Sequence, residues 1–254
     1  MSVVLVHGNP ETPVVWDPLV AALAELSPGI VVHRPHLPGF GCTAPAGFGA
    51  TKEEYVGWLI SELERIVAAD GPVDLVGHDW GGGIGMRAVA LRPDLVRTWA
   101  CDVLGLFHPD YVWHDFAQIW QTLGDGEAYF EQSLASPAAD RIALLEAIGI
   151  PRVTGEQLVA AADDEMSRCI LALYRSAAQP AMARWGAELG PAATRPGLAI
   201  VAPDDPFVRA LDLAPQVAAQ LGAEVVEMVG QGHWWMLGAP EVAARTLVTY
   251  WSSH

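Results

Sequence analysis

The chain has 254 residues, of which 52% are hydrophobic and 17% charged. That is enough for one compact domain with a core and one large insertion, and it excludes a disordered or collagen-like polypeptide. Fourteen basic against thirty acidic side chains give a formal charge of −16, so Coulomb repulsion makes phosphate backbones and anionic headgroups poor partners, and neither nucleic acid nor a membrane is expected.

Short β-branched runs alternate with stretches of helical period. The first run, Val3 to His7, follows Met1 without a basic leader, an apolar export segment or a small-residue cleavage site. The next two, Ile30 to Arg34 and Val73 to Gly77, flank a segment in which Val56, Leu59, Ile60, Leu63, Ile66 and Val67 share one stripe, with Glu53, Glu62, Glu64 and Arg65 largely opposite. This spacing predicts a core-packing helix. Runs at Val96 to Asp102, Leu198 to Ala202 and Val225 to Val229 complete the set. Continuous apolar strands joined by helices predict a mostly parallel sheet of about six strands, covered on both faces, because parallel neighbours require crossover connections.

Between the fourth and fifth runs lie roughly ninety residues without a convincing strand, far more than a loop in a compact α/β unit. Pro109, Gly124, Gly126, Pro137, Gly149, Pro151, Gly155 and Pro180 divide this stretch into short helices, and it carries Trp113, Trp120, Trp185, Tyr111, Tyr129 and Tyr174. The expected layout is a core domain over 1–104 and 191–254 with a helical cap over 105–190. Cys42, Cys101 and Cys169 are an odd set without paired spacing. They argue against a disulfide framework or a structural zinc site and suit the reducing cytoplasm. No run is long enough to span a bilayer.

The segment Val73-Asp74-Leu75-Val76-Gly77-His78-Asp79-Trp80-Gly81-Gly82-Gly83 reads as strand, tight turn and helix, with Asp79 at the apex of a Gly-x-Asp-x-Gly pattern. Aspartate often caps a helix, but capping does not require glycine on both sides. A carboxylate is charged at neutral pH and can displace a leaving group from saturated carbon directly, where a serine must first be deprotonated. Alkylation would leave an ester on Asp79. Its hydrolysis needs a base to activate water and amides to hold the oxyanion, each lost donor costing about 3 kcal/mol. His233, in Gly-Gln-Gly-His after the last run, is the expected base.

With these residues the chain resembles the aspartate-nucleophile branch of the α/β-hydrolase superfamily, the epoxide hydrolases and haloalkane dehalogenases. The likeness covers nearly the whole chain and is carried by Val3 to Pro10 (VVLVHGNP), His36 to Gly41 (HLPGFG), Val76 to Gly83 (VGHDWGGG), Ala202 to Phe207 (APDDPF) and Gly232 to Glu241 (GHWWMLGAPE). It implies an α/β-hydrolase fold, a small hydrophobic organic substrate, no metal or organic cofactor, and the order nucleophile Asp79, acid Asp205, base His233. Asp205 would fix the imidazole tautomer and stabilise its cation, with Asp204 and Asp102 as alternative acids. The oxyanion amides resemble those of Trp80 and Asn9, and His7 would hold the turn.

Two features of the resemblance pull apart. Asn9 paired with Trp80 resembles the halide-binding pair of dehalogenases. Tyr174, in Leu171-Ala172-Leu173-Tyr174-Arg175, resembles the late-cap Tyr-Arg motif of epoxide hydrolases, whose departing alkoxide needs an acid. A second cap tyrosine is expected from Tyr129 or Tyr111. The Tyr174-Arg175 motif and the Pro10-Glu11 continuation favour an epoxide hydrolase giving a vicinal diol, with a haloalkane dehalogenase as the alternative. Against the family pattern, the first run corresponds to the usual third strand. Ile30 to Arg34 is therefore expected at a sheet edge, where pairing into a homodimer is open. His36 stands where the family usually has aspartate.

Overall fold

The computed structural model describes residues 1–208 and 212–254. β1 (Ser2–Val6), β2 (Val31–His33), β3 (Val73–Gly77), β4 (Val96–Cys101), β5 (Gly197–Val201) and β6 (Glu224–Glu227) fall on the six predicted runs and form one sheet in the order β2-β1-β3-β4-β5-β6. Every neighbouring pair is parallel, so the sheet is wholly rather than mostly parallel. β1 and β5 are buried along their full length, which is why they read as unbroken apolar runs. The edges are β2, only three residues long, and β6, which exposes Glu224 and Glu227. Short and charged edges resist pairing with another chain.

The helices are α1 (Asp17–Leu26), α2 (Lys52–Asp70), α3 (Trp80–Leu91), α4 (Asp115–Gln121), α5 (Asp125–Ala135), α6 (Ala138–Ala147), α7 (Arg152–Ala161), α8 (Asp164–Ser176), α9 (Ala181–Ala187), α10 (Leu213–Leu221), α11 (Trp235–Gly238) and α12 (Pro240–Ser253). Alternate strand residues feed two cores. Val4 and Val6 pack with α2, α3 and α10, whereas Val3 and Leu5 pack with α1 and α12. The predicted stripe is the inner face of α2, where Tyr55, Val56, Leu59, Leu63 and Ile66 are buried. Thr51 and Glu54 close a capping box at its start.

β1 is bonded to β2 on one side and β3 on the other, so the chain leaves the C-terminal ends of β1 and β3 in opposite directions and a crevice opens between them. Asn9 follows β1 and Asp79 follows β3 at this point. The helices α4–α9 lie between β4 and β5, and α4, α5, α6 and α8 help wall in the space above Asp79. Within them α8 buries Met166, Cys169, Ile170, Leu173 and Tyr174. Arg175 turns away and holds Glu127 of α5 through two contacts of 2.7 Å. Among the described residues, no helix is long and apolar enough to cross a membrane.

Candidate active site

Asp79 joins β3 to α3 with φ 49° and ψ −124°, a conformation that costs a non-glycine residue about 1–3 kcal/mol. Close packing enforces it. A Cβ on Gly81 would come within 2.0 Å of the Val6 carbonyl oxygen, and one on Gly8 within 2.3 Å of Asp79 Oδ1. The bare glycines let the β1 loop reach the elbow, where the Asn9 amide donates to Asp79 Oδ1 at 2.8 Å. Burial pushes the Asp79 carboxyl up to about 6, against the lowering pull of His233 and His78.

His233, after β6, lies with Nε2 3.9 Å from Asp79 Oδ2 and Nδ1 2.7 Å from Asp205 Oδ2. Asp205, after β5, accepts the Phe207 and Val208 amides on Oδ1 at 2.7 and 3.1 Å. Burial works to raise its pKa, but the charge and hydrogen bond of His233 hold it below the usual carboxylate range. Burial likewise disfavours the His233 cation, yet Asp205 lifts its pKa above the ordinary imidazole value. A carboxylate on Nδ1 keeps a proton there and leaves Nε2, towards Asp79, as the basic position. Of the alternative acids, Asp204 bonds through its amide to the Gln231 carbonyl, and Asp102 serves a different histidine.

That histidine belongs to a buried array that the sequence reading missed. His78 has Nδ1 2.5 Å from Asp102 Oδ2 and Nε2 3.0 Å from Glu11 Oε1. Burial opposes its cation, but the two carboxylates raise its pKa well above the usual value. Burial would also raise Glu11, and the charge of His78 outweighs it, bringing Glu11 down to about 2. Glu11 further accepts the Gly8 amide at 2.9 Å and the Trp234 indole at 2.5 Å. Asp102 accepts the Asp79 amide at 3.0 Å and the Trp235 indole at 2.7 Å. The array therefore ties the β1 loop, the elbow and the segment after His233 to one another, with the His78 and His233 rings 4.5 Å apart.

Among the described residues, Glu11, His78 and His233 are the one group whose donor atoms, within 4.8 Å of one another, would suit a metal ion. Both ring nitrogens of His78 and Nδ1 of His233 already face carboxylates, so the set is committed to hydrogen bonding. His7 accepts the Leu37 amide on Nε2 at 3.1 Å, and burial lowers its pKa to about 4, leaving it neutral. His36 meets the Phe40 carbonyl at 3.2 Å and closes the Leu-Pro-Gly-Phe turn.

In front of Asp79, Tyr174 is 2% exposed and accepts a hydrogen bond from Asn9 Nδ2 at 3.3 Å. Trp80 lies edge-on to the same phenol ring and acts to lower its pKa. The phenol ring packs against Trp80, Trp113 and Trp120 at centroid distances of 5.2, 5.4 and 4.8 Å. Asn9 and Trp80 were expected to act apart from Tyr174. The structure joins Asn9 to Tyr174 through that one bond and packs Trp80 against the same phenol ring. Burial and then the charge of Asp79 push the Tyr174 pKa well above its ordinary value, while Asn9 and Trp80 pull it down.

A cavity of about 110 Å³ is walled by Asn9, Asp79, His114, Tyr129, Tyr174 and His233, among others. Tyr129 of α5 packs against Phe116 and Trp120, and Tyr111 against Trp113. His114, which the sequence reading passed over, caps α4 by accepting the Ala117 amide on Nδ1 at 3.2 Å. A neutral ring bonded this way carries its proton on Nε2. The ring lies edge-on to Tyr174 and Phe207. As a cap residue on a short helix it gave no signal that separated it from ordinary turn chemistry.

The sequence profile of the alpha/beta hydrolase family matches residues 3–246. The chain is 35% identical over 94 residues to a haloalkane dehalogenase of Psychrobacter cryohalolentis, covering 36% of this chain and 30% of that one. It is 29% identical over 157 residues to an epoxide hydrolase of Caballeronia sordidicola, covering 60% and 45%. The matched segments thus span less than half the length of these curated relatives. The solved structure of a haloalkane dehalogenase loop variant from Bradyrhizobium elkanii superimposes with a TM-score of 0.75 at 22% identity, covering 99% of this chain and 89% of that one, a likeness of fold. The chain belongs to the alpha/beta hydrolase family and has the α/β-hydrolase fold.

Proposed function

We propose that the protein is an epoxide hydrolase that opens a small hydrophobic epoxide to a vicinal diol through an ester on Asp79. The observation that carries this reading is the donation of Asn9 Nδ2 to the Tyr174 hydroxyl, with Trp80 packed against the same ring. The Asn9 side chain that would cradle a halide instead donates to a phenol oxygen, so the phenol's own proton is left to face the substrate. An epoxide oxygen leaves as an alkoxide and needs that proton, whereas a halide does not.

In the first step Asp79 Oδ2 attacks an epoxide carbon, the carbon–oxygen bond breaks, and the freed oxygen takes a proton from Tyr174. Oδ1, held by the Asn9 amide at 2.8 Å, becomes the ester carbonyl oxygen. In the second step His233 Nε2 removes a proton from water, and the hydroxide attacks the Asp79 carboxyl carbon. The Asn9 amide steadies the oxyanion on Oδ1. Collapse expels the diol oxygen, which takes the proton from His233. The regenerated carboxyl group ionises, and its proton restores Tyr174. Water and epoxide give one diol, and Asp205 holds the imidazole throughout. His114 and Tyr129 line the same cavity and are the candidates for a second hydrogen bond to the departing oxygen.

In this reading residues 105–190 form the cap and 1–104 with 191–254 the catalytic core of a cytoplasmic enzyme, matching in kind the activity named for the Caballeronia sordidicola relative. Haloalkane dehalogenation is the second reading, favoured by the presence of both Asn9 and Trp80 beside Asp79 and by the activity named for the Psychrobacter cryohalolentis relative. A panel of epoxides and haloalkanes, scored for diol and halide release, separates the two. Replacing His233→Gln should allow alkylation but block ester hydrolysis, so intact-protein mass spectrometry should find the substrate mass added on Asp79. Absence of an adduct with every substrate that the wild type turns over would sink the covalent mechanism.

A further inference from the structure

The helices above Asp79 are not solid. A second hollow of about 120 Å³ lies among α5, α6, α7 and α8, and it shares Pro10, Trp120, Tyr129, Leu144 and Leu145 with the cavity that contains Asp79. Its remaining wall is mostly aliphatic or aromatic, including Phe130, Leu134, Leu158, Val159, Met166 and Ile170. Protein interiors pack densely, and an apolar void forfeits contacts and stability. A hollow of this size next to a reaction chamber is therefore an expense that a ligand would offset.

One charged side chain stands on that wall, Arg141 of α6. Among the described residues it forms no ion pair, whereas Arg34, Arg65, Arg87, Arg92, Arg152 and Arg175 each hold a carboxylate. In a chain with thirty acidic groups and a formal charge of −16, a guanidinium left unpaired beside an apolar hollow is suited to bind an anion brought by a ligand. Ser133 and Ser167 line the same hollow and add hydroxyl groups on that wall.

We propose that this hollow is a tail subsite for an unbranched aliphatic chain ending in a carboxylate, whose head pairs with Arg141 while the near end of the chain passes Tyr129 towards Asp79. The preferred substrates would then be epoxides of medium-chain carboxylic acids. That extension to substrates rests on the epoxide hydrolase reading, but the subsite itself does not, since the chain and head are recognised without any reaction. The overall negative charge slows approach of an anion, and salt screens that general repulsion and the Arg141 pair alike.

Binding of inert probes tests this separately from catalysis. In calorimetric titrations of the full chain, octanoate should bind about two- to fivefold more tightly than octan-1-ol, as one partly exposed ion pair allows. Arg141→Gln should erase that preference, and Arg141→Lys should retain part of it. Ser133→Trp, which fills the hollow from a half-buried position on α5, should weaken both probes by about tenfold. Equal affinity for acid and alcohol, or an acid preference that survives Arg141→Gln, would overturn the carboxylate assignment. No loss in Ser133→Trp would overturn the location. If octanoate follows the expected pattern while no epoxide is hydrolysed, the tail subsite stands and the epoxide hydrolase reading fails. Diol release without octanoate binding would overturn the subsite and leave the epoxide hydrolase reading in place.

Discussion

Replacing Tyr174→Phe removes one oxygen from the cluster that distinguishes the two chemistries. The ring and its packing against Trp80, Trp113 and Trp120 survive, so the fold should lose only the bond that Asn9 makes to the hydroxyl. Leaving that donor unpaired costs about 1–3 kcal/mol in a buried site. Asn9 is already strained in this respect, because its Oδ1 is buried without a partner. Catalysis should suffer far more. A positioned acid contributes roughly 10²–10⁴-fold to a step that transfers its proton, so diol formation should fall by at least about a hundredfold while the melting temperature falls by roughly 2–12 °C. Halide displacement should persist or rise, because the Asn9 side-chain nitrogen is freed to face a departing anion. Initial rates of diol and halide release, measured side by side on the same preparation, decide the matter. A parallel fall in both, or a loss of epoxide opening below about tenfold, would mean that the hydroxyl is not the acid. Because Asn9 holds Tyr174, Asn9→Ala should also slow epoxide opening, and the double variant should be no worse than Tyr174→Phe alone.

Other consequences follow from the geometry around the nucleophile. In the proposed reaction Asp79 must be ionised to attack, and burial places its pKa at about 6, so the alkylation rate should drop as pH falls through that value; an alkylation rate unchanged from neutral to mildly acid solution would contradict the assignment. His233 must be neutral to act as base and is held above the ordinary imidazole value, so ester hydrolysis should fail at higher pH than alkylation and the adduct should accumulate in between, as rapid-quench mass spectrometry would show. The same raised pKa means that the folded state binds the Asp79 proton more tightly than the unfolded chain, so stability is lost as pH rises from the ordinary 3.8 towards 6. Asp79→Asn should therefore stabilise the protein by about 1–3 kcal/mol at neutral pH, a gain that denaturant titration should find shrinking as pH falls below about 6 and gone by about pH 4. Gly8→Ala would drive a Cβ to 2.3 Å from Asp79 Oδ1 and should cut kcat/KM about a hundredfold by moving the nucleophile.

The strands were legible because their apolar runs are unbroken where both faces are covered. At β6, where the strand lies at an exposed edge, the predicted run extends to Val229, which the structure leaves 79% exposed beyond the strand. Asp79 was legible because glycines on both sides of an aspartate have a steric reason that capping does not supply, and the clash at Gly81 is that reason. His233 and Asp205 were legible from their place after the last two strands. The array of Glu11, His78 and Asp102 was not, since its members are separated by dozens of residues and each alone reads as a turn or cap residue. The joining of Asn9 to Tyr174 was equally hidden. Their separation is 165 residues, and only the packing of α8 over the β1 loop brings them together.

The cluster also couples acid strength to the charge of the nucleophile. Tyr174 is held above its ordinary pKa first by burial and next by the negative charge of Asp79. Alkylation turns that carboxylate into a neutral ester, so the Coulomb penalty on a tyrosinate fades as the new bond forms. The hydrogen bond from Asn9, which favours the anion, remains in place. Tyr174 is thus a poor acid in the resting site and a better one as charge moves from Asp79 to the leaving oxygen, an interaction stronger in the transition state than before it. A halide gains nothing from this shift because it departs already charged. In the epoxide hydrolase reading, two residues that in isolation point to halide binding thus act through the buried phenol beside them to make an alkoxide the easier leaving group.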